Sequence, residues 1–541
     1  MPVDFRKIPG TTKLFSDFLS DFGKVERFYA GDFRKDKNYL RVFKSIKERK
    51  YQREKLCSIL KAQNQRFGTP EEVFKKIELL REPDALVIFT GQQVCLFGGP
   101  LFIIYKAIST LKLAEELSFR FSRPFVPVFW LDSEDHDFEE VRSTSIIDKE
   151  NKLQEIRYSP SKIPSGEPMY RIALEGQIDA CIDLLKSSLH PTEFEDEVVR
   201  TLNNCYSAGE SISNSFAIWV VRLLGKYGLV IADPGDKELK KLASDFFLKE
   251  IQNPGKSMKL VIETGKALES SGYHQQVIKS EDAINLFLEM DDKRRSLRWD
   301  GDSIEIDEVD RKTSLDELHR IVEQEPERIS PNVLLLPLMR SSLFPTAVYI
   351  GGPGEISYYA QLKSVFEFFD IPMPVVYPRT SVTLVEDKIK QVLEKYSLEF
   401  TDLFQDPEIV INSILKNKFP DSLEIALEKK KNQISKILDE LEQELVSSEP
   451  ALKQNLETSR GKIDYELKRL GEKLFQTYRQ KDQNLKDQVY KTKNNLFPGN
   501  KLQERVLNLT PYLIKYGFEF VDFLYDKVEI EKVDHQLLGI G

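Results

Sequence analysis

Three short stretches of the chain hold the residue types that bind and transfer charged groups. The first is Thr90-Gly91-Gln92-Gln93, followed by Gly98-Gly99-Pro100. Glycines let backbone N–H groups approach an anion closely, and two adjacent glutamines supply both donors and acceptors. The same residues also make an ordinary tight turn, and neither the Walker nor the dinucleotide fingerprint is present. Lys106, a little further on, faces either a phosphate or water. The second stretch is Trp130-Leu131-Asp132-Ser133-Glu134-Asp135-His136-Asp137. His136 is one of only five histidines, and flanking carboxylates can tune an imidazole as general acid or base. The cluster reads equally as an oxygen-rich Mg2+ site beside a nucleotide, or as a helix N-terminal cap. No second His or Cys stands at zinc-ligand spacing, so no residue is assigned as a metal ligand. The third stretch runs Tyr349-Ile350-Gly351-Gly352-Pro353-Gly354-Glu355, with Tyr358 just beyond. It reads as a backbone cradle for phosphate or carboxylate, or as a plain strand-to-helix turn. Arg379 follows another apolar run and can hold an anion bidentately or cap a helix.

The elements that must position these stretches follow from their surroundings. Ala85 to Thr90 and Phe125 to Leu131 are apolar runs, separated by an amphipathic segment from Pro100 to Leu117. Strand, turn, helix, strand is the grammar of a parallel sheet with crossover helices. It recurs in Ser215 to Lys226 (helix), Gly228 to Ala232 (strand) and Lys237 to Ile251 (helix). Val333 to Leu336 and Ala347 to Ile350 read as strands, Glu355 to Phe369 as a helix, and Pro374 to Tyr377 as a strand. In open α/β sheets, ligands bind at the carboxyl ends of strands, where all three stretches fall.

From about Glu386 the pattern lengthens. Leu423, Leu427, Ile434, Ile437, Leu441 and Leu445 form one apolar seam. Leu452, Leu456, Ile463, Leu467, Leu470 and Leu474 form a second, continued more weakly by Leu485 and Val489. Steps of three, four and seven are coiled-coil spacing, and Pro450 suits the first turn of the second helix. The expected architecture is α/β: a Rossmann-like parallel-sheet core with inserted connecting elements, plus a long antiparallel α-helical coiled-coil hairpin. The expected boundaries are an N-terminal helical region over 1–80 and the core over 81–385, with insertions near 148–205 and 270–330. The coiled-coil domain then covers 386–500, and a segment over 501–541 returns to the core.

Composition narrows the classes of function. The 541 residues carry a net charge of −9 with no strongly basic segment, which argues against a nucleic-acid binder. The charge-free run from Ala85 to Tyr105 is broken by Gly, Gln and Pro, so it reads as buried core and not as a membrane span. No secretory signal is evident at the start, and the four scattered cysteines suit reduced thiols. A cytoplasmic location is the expectation.

The motifs T-G-Q-Q-x-x-L-F-G-G-P-L-x-x-x-Y-K-A and P-V-F-W-L-x-x-E-D-H-D-F-E-E, from Thr90 and Pro127, resemble the bacillithiol synthase family. So do F-P-T-A-x-Y-I-G-G-P-G-E-I-x-Y-x-A-Q-L and P-R-x-S-V-T-L-V-E, from Phe344 and Pro378. Order and spacing match over essentially the whole chain. The resemblance implies a Rossmann-like core, a coiled coil that forms a homodimer, and a ligase joining cysteine to the amine of glucosaminyl-malate. ATP or another adenine nucleotide would activate the cysteine carboxylate as an acyl phosphate or adenylate, with Mg2+ as an accompanying ion. His136, tuned by Asp135 and Asp137, would accept the amine proton. The substrates and nucleotide would be held by Thr90, Gly91, Gln92, Gln93, Gly98, Gly99, Lys106, Trp130, Glu134, Gly351, Gly352, Gly354, Glu355, Tyr358 and Arg379. The chain departs from the family pattern at Val94-Cys95, Leu336-Pro337 and Arg340-Ser341, and Arg340 is a candidate replacement for a cation missing at Leu336. The alternatives are a sugar-nucleotide-dependent glycosyltransferase-like enzyme and a non-catalytic coiled-coil adaptor.

Overall fold

The computed structural model describes residues 2–278, 280–309, 311–418, 421–481 and 483–541. The side chains of 417–418, 421–424, 446, 450, 475–476 and 478–481 fall outside that description, Leu423 of the expected seam among them. The chain divides into two compact units. One comprises Met1–Leu384 with Lys501–Leu538, and the other Val385–Asn500 with Gly539–Gly541.

The first unit is built on five parallel strands: β1 (Leu86–Gln92), β2 (Phe125–Leu131), β3 (Val230–Ala232), β4 (Thr346–Gly351) and β5 (Val375–Pro378). Their order across the sheet is β5-β4-β1-β2-β3. They are buried apart from Gln92, and apolar except at Thr90–Gln92 and at the ends of β4, as strands must largely be when helices cover both faces. The chain winds one way through β1, β2 and β3 and the opposite way through β4 and β5. The order therefore reverses between β1 and β4, and in such sheets the crevice for a ligand opens there. Register pairs Tyr349 with Phe89, Gly91 with Trp130, and Gly351 with Pro378, so the strands end level with one another. Helix α1 (Phe102–Phe121) crosses from β1 to β2 and buries most of its length.

The insertions have structure of their own. Within 270–330 lies a mainly antiparallel five-stranded sheet that includes Ala283–Met290, Lys293–Trp299 and Ile329–Pro331. An antiparallel pair, Ser143–Ile147 with Leu153–Arg157, opens the earlier insertion. His535–Ile540 pairs with Pro2–Val3 and neighbours Val382–Glu386 in a three-stranded sheet. Two expectations are corrected. Val333 to Leu336 is not a strand but a turn into helix α2 (Leu336–Leu343), because Asn332 Oδ1 accepts from the Leu334 and Leu335 amides, at 3.0 and 3.3 Å, and starts the helix. The expected helix from Glu355 to Phe369 is two helices, α3 (Pro353–Tyr359) and Lys363–Phe369.

The second unit contains an antiparallel hairpin of α4 (Asp421–Ser448) and α5 (Lys453–Lys481), joined through the turn Pro450–Leu452. Its direction is fixed by Lys453 on Glu442 at 3.4 Å and by Arg460 paired with Asp439. The inner seam uses Leu427, Ile434, Leu438 and Leu445, spaced seven, four and seven, and Leu438 is buried. Ile437 and Leu441, expected in that seam, lie on the flank and are exposed, as are Leu470 and Leu474. A heptad pattern read without the partner helix cannot distinguish adjacent positions 437 and 438. Leu485 and Val489 pack against Val410, Ile411, Ile414 and Leu415 instead of extending the hairpin. Among the described residues, no helix is long and apolar enough to cross a membrane.

Candidate functional site

A cleft of about 750 Å3 opens beyond the ends of β1 and β4, at the reversal of strand order. At its centre Lys106, on the second turn of α1, is completely buried. Its three donors go to Gly91 O at 2.8 Å, Gln92 Oε1 at 3.0 Å and Glu355 Oε2 at 2.6 Å. Burial holds its pKa below the usual lysine range despite the Glu355 charge. Burial would raise the Glu355 carboxyl, but Lys106, the Gly352 amide at 2.8 Å and the Tyr349 hydroxyl outweigh it and hold it low. Glu355 thus caps α3 from inside, and the sharp turn before it brings Gly352 against Arg379. A Cβ at Gly352 would lie 3.2 Å from Arg379 Nε, so a larger residue there would press on the Arg379 side chain.

The acidic stretch after β2 forms a ledge beside this centre. Asp132 lines the cleft and accepts from Arg340 Nη2 at 3.0 Å. Burial raises its carboxyl pKa although Arg340 opposes that. Arg340 reaches across from α2, buried between the Trp130 and Tyr349 rings, 5.4 and 5.6 Å from their centres. Glu134 is buried on Lys240, and burial raises its carboxyl. Gln93 Nε2 donates to Asp135 Oδ2 at 2.6 Å and to Glu140 Oε2 at 2.8 Å, drawing the two acids together. Asp137 accepts from the Glu140 amide at 3.2 Å and so caps the short helix Phe138–Val141. His136 stands outside the cleft lining, its ring edge-on to Phe287 at 5.7 Å. Its Nδ1 is enclosed, without a hydrogen-bond partner, and 3.9 Å from Asp135 Oδ1. Burial first, then the Arg294 charge, hold the imidazole pKa below its usual value, so the ring is neutral near pH 7.

The far side of the cleft is cationic. Arg379, at the end of β5, donates to Glu504 Oε1 at 2.7 Å and to Thr380 O at 2.9 Å. Lys501 and Arg505 line the same cleft. Because β2 and β5 lie on opposite sides of the β1–β4 crevice, Arg379 lies across it from the acidic ledge, which Arg294 and Arg340 partly neutralise. An amine suits the first side and an anion the second.

The structure therefore brings together Gln92, Gln93, Lys106, Trp130, Glu134, Asp135, Gly352, Gly354, Glu355, Tyr358 and Arg379 as one lining. Thr90, Gly91, Gly98, Gly99 and Gly351 stand outside it. Thr90 Oγ1 ties β1 to β4 through Ile350 O at 3.0 Å. Gly98, with φ of 82°, packs on Trp219, where a Cβ would lie 2.8 Å from the indole. The lining also includes Asp132, Arg294, Lys501 and Arg505, to which the sequence alone assigns no site role. Asp132 lay within a quoted motif, whereas the other three come from segments that carry no motif.

The family model for the bacillithiol biosynthesis BshC N-terminal Rossmann-like domain matches residues 1–380, and that for the BshC C-terminal coiled-coil domain matches 382–540. A Salinibacter ruber protein named "Putative cysteine ligase BshC" is 34% identical over 528 residues, covering 97% of this chain and 96% of that protein. Proteins of the same name from Chlorobaculum tepidum and Koribacter versatilis are 33% and 30% identical. They cover 95% of each chain in the first case and 97% in the second.

Proposed function

The chain belongs to the bacillithiol biosynthesis BshC family, and from that premise we propose that it is a ligase condensing L-cysteine with the amine of glucosaminyl-malate. The observation that carries this reading is the division of one cleft into an acidic ledge and a cationic side. Amide formation needs an amine nucleophile beside a carboxyl that bears a good leaving group. Asp132 and Asp135 suit an incoming ammonium group, and their charges are fixed in place by Arg340 and Gln93. Arg379 and the Gly352–Gly354 turn suit an anion at the other side. ATP or another adenine nucleotide, with Mg2+, would supply the leaving group that a free carboxylate lacks.

The attacking nitrogen must shed a proton to become a nucleophile. His136 is neutral near pH 7 and is proposed to take it. Because the ring stands at the rim, the proton travels by way of the Asp135 carboxylate or a water. Gln92 and Gln93 act as positioning groups, since Gln92 is oriented by Lys106 and Gln93 by two carboxylates. A homodimer through the exposed row of the hairpin and a cytoplasmic location complete the proposal.

The test incubates the pure protein with cysteine, glucosaminyl-malate and ATP and reads products by mass. The expected product has the mass of the two substrates less one water and does not form when ATP is omitted. An unconsumed amine in the complete mixture overturns the proposal.

A further inference from the structure

We propose that Lys501 and Arg505 form, with Arg379, a clamp on the cationic side of the cleft that takes a group bearing two negative charges. Arg379 and Glu504 are both buried and bonded to each other at 2.7 Å. Glu504 is further committed, because it also accepts from the Ser381 hydroxyl at 2.8 Å and the Val382 amide at 2.9 Å. Glu355 is likewise spent on Lys106. Among the described residues no carboxylate stands within ion-pair distance of Lys501 or Arg505, although both line the cleft. Desolvation and then repulsion from Arg379 depress the Arg505 pKa although the Glu504 charge opposes them, so the two guanidinium groups feel each other.

Two solvent-exposed cations on one cavity, with the neighbouring Glu504 already engaged by Arg379, Ser381 and Val382, give that wall a positive charge that no ion pair takes up. Nearby, Gly354 faces open space, where a Cβ would meet nothing within 4 Å. The ligand chemistry that matches is a compact dianion. Under the proposed function two sources offer one: the two carboxylates of the malyl group, or the phosphates of the nucleotide. The inference rests on that reading only for the choice of these two. Lys501 and Arg505 belong to the segment that follows the helical unit and folds as part of the first unit. The clamp therefore assigns that segment a role in binding.

Calorimetric titration of the full chain with L-malate and, separately, with ATP tests the clamp. The wild type is compared with Lys501→Gln, Arg505→Gln and the double variant, each checked for an unchanged melting temperature. Losing one charge-assisted contact is expected to weaken binding about 10-fold, and losing both about 100-fold. Loss confined to L-malate assigns the clamp to the substrate's carboxylates, and loss confined to ATP assigns it to phosphate. Loss of both means that the two groups share it. A wild type that binds neither probe, or variants that bind both as tightly as wild type, overturns the clamp. A failed condensation assay with dianion binding still lost in the double variant removes the ligase reading and leaves the clamp standing.

Discussion

Lys106 Nζ lies 2.6 Å from Glu355 Oε2, so one buried ion pair joins the helix after β1 to the helix after β4 across the reversal of strand order. From the sequence Lys106 was free to face phosphate or water. In the fold it faces neither, since its remaining donors are held by Gly91 O and Gln92 Oε1. The pair fixes the width of the crevice. Lys106→Met leaves the part-buried Glu355 without a counter-charge, which should cost up to about 3–5 kcal/mol. Lys106→Met combined with Glu355→Gln should cost less than the single change, because no charge is then stranded. Thermal melts of the three variants decide this, and a double variant as unstable as the sum of the singles would show the pair to be uncoupled.

The rim position of His136 makes its role measurable. His136→Ala should lower turnover roughly 10²–10⁴-fold with the melting temperature unchanged, the range for a general base. Gln92→Ala removes an acceptor from Lys106 and should mainly raise KM. Full turnover in the His136 variant would transfer proton acceptance to the carboxylate ledge.

The parts of this molecule legible in its sequence are those set by local apolar runs. Phe125 to Leu131 is β2 to the residue, because a strand buried on both faces needs an unbroken apolar run. Gln92, Glu355 and Arg379 are legible because each lies within a few residues of the end of such a run. Arg340 could be suspected as a cation, yet its partner Asp132 could not be found, since 208 residues separate them. Lys501 and Arg505 carry no local signal at all: their segment is held at the cleft by Gln503 and Glu504, which bond to Leu384 and Val382 far away in the sequence. The hairpin seam was displaced by one residue at Ile437 because its register depends on the partner helix.

That displaced row leads to a prediction about assembly. Ile437, Leu441, Leu470 and Leu474 are exposed on the hairpin, 61%, 39%, 56% and 37% respectively. Apolar residues at coiled-coil spacing gain by burial against a second copy. Leu470→Asp with Leu474→Asp should convert a homodimer to monomer by light scattering, with helicity retained. Leu467→Asp strikes a half-buried position and should lower the melting temperature as well. A dimer that persists in the Leu470/Leu474 variant would place the interface elsewhere.

A final prediction concerns pH. Glu250 is completely buried, accepting from Ser257 Oγ at 2.7 Å and the Asn285 amide at 3.2 Å, while its Oε2 has no partner. Asn285 carries the chain onward, since it accepts from Asn332 Nδ2 at 2.7 Å, and Asn332 lines the cleft. Burial pushes the Glu250 carboxyl up to about 7, against 4.5 when exposed. The folded state therefore keeps a proton that the unfolded chain gives up. The contribution is fully present below pH 4.5 and is lost as pH rises through about 7. The loss should be on the order of 3 kcal/mol by pH 8. Glu250→Gln keeps the acceptor oxygen, places an amide where Oε2 has no partner, and cannot ionise. Its stability relative to wild type should therefore rise between pH 5 and pH 8, read as a melting-temperature difference that grows in favour of the variant. An equal difference at both values would mean that the carboxyl does not titrate in this range, and that Asn332 is held by a network indifferent to pH.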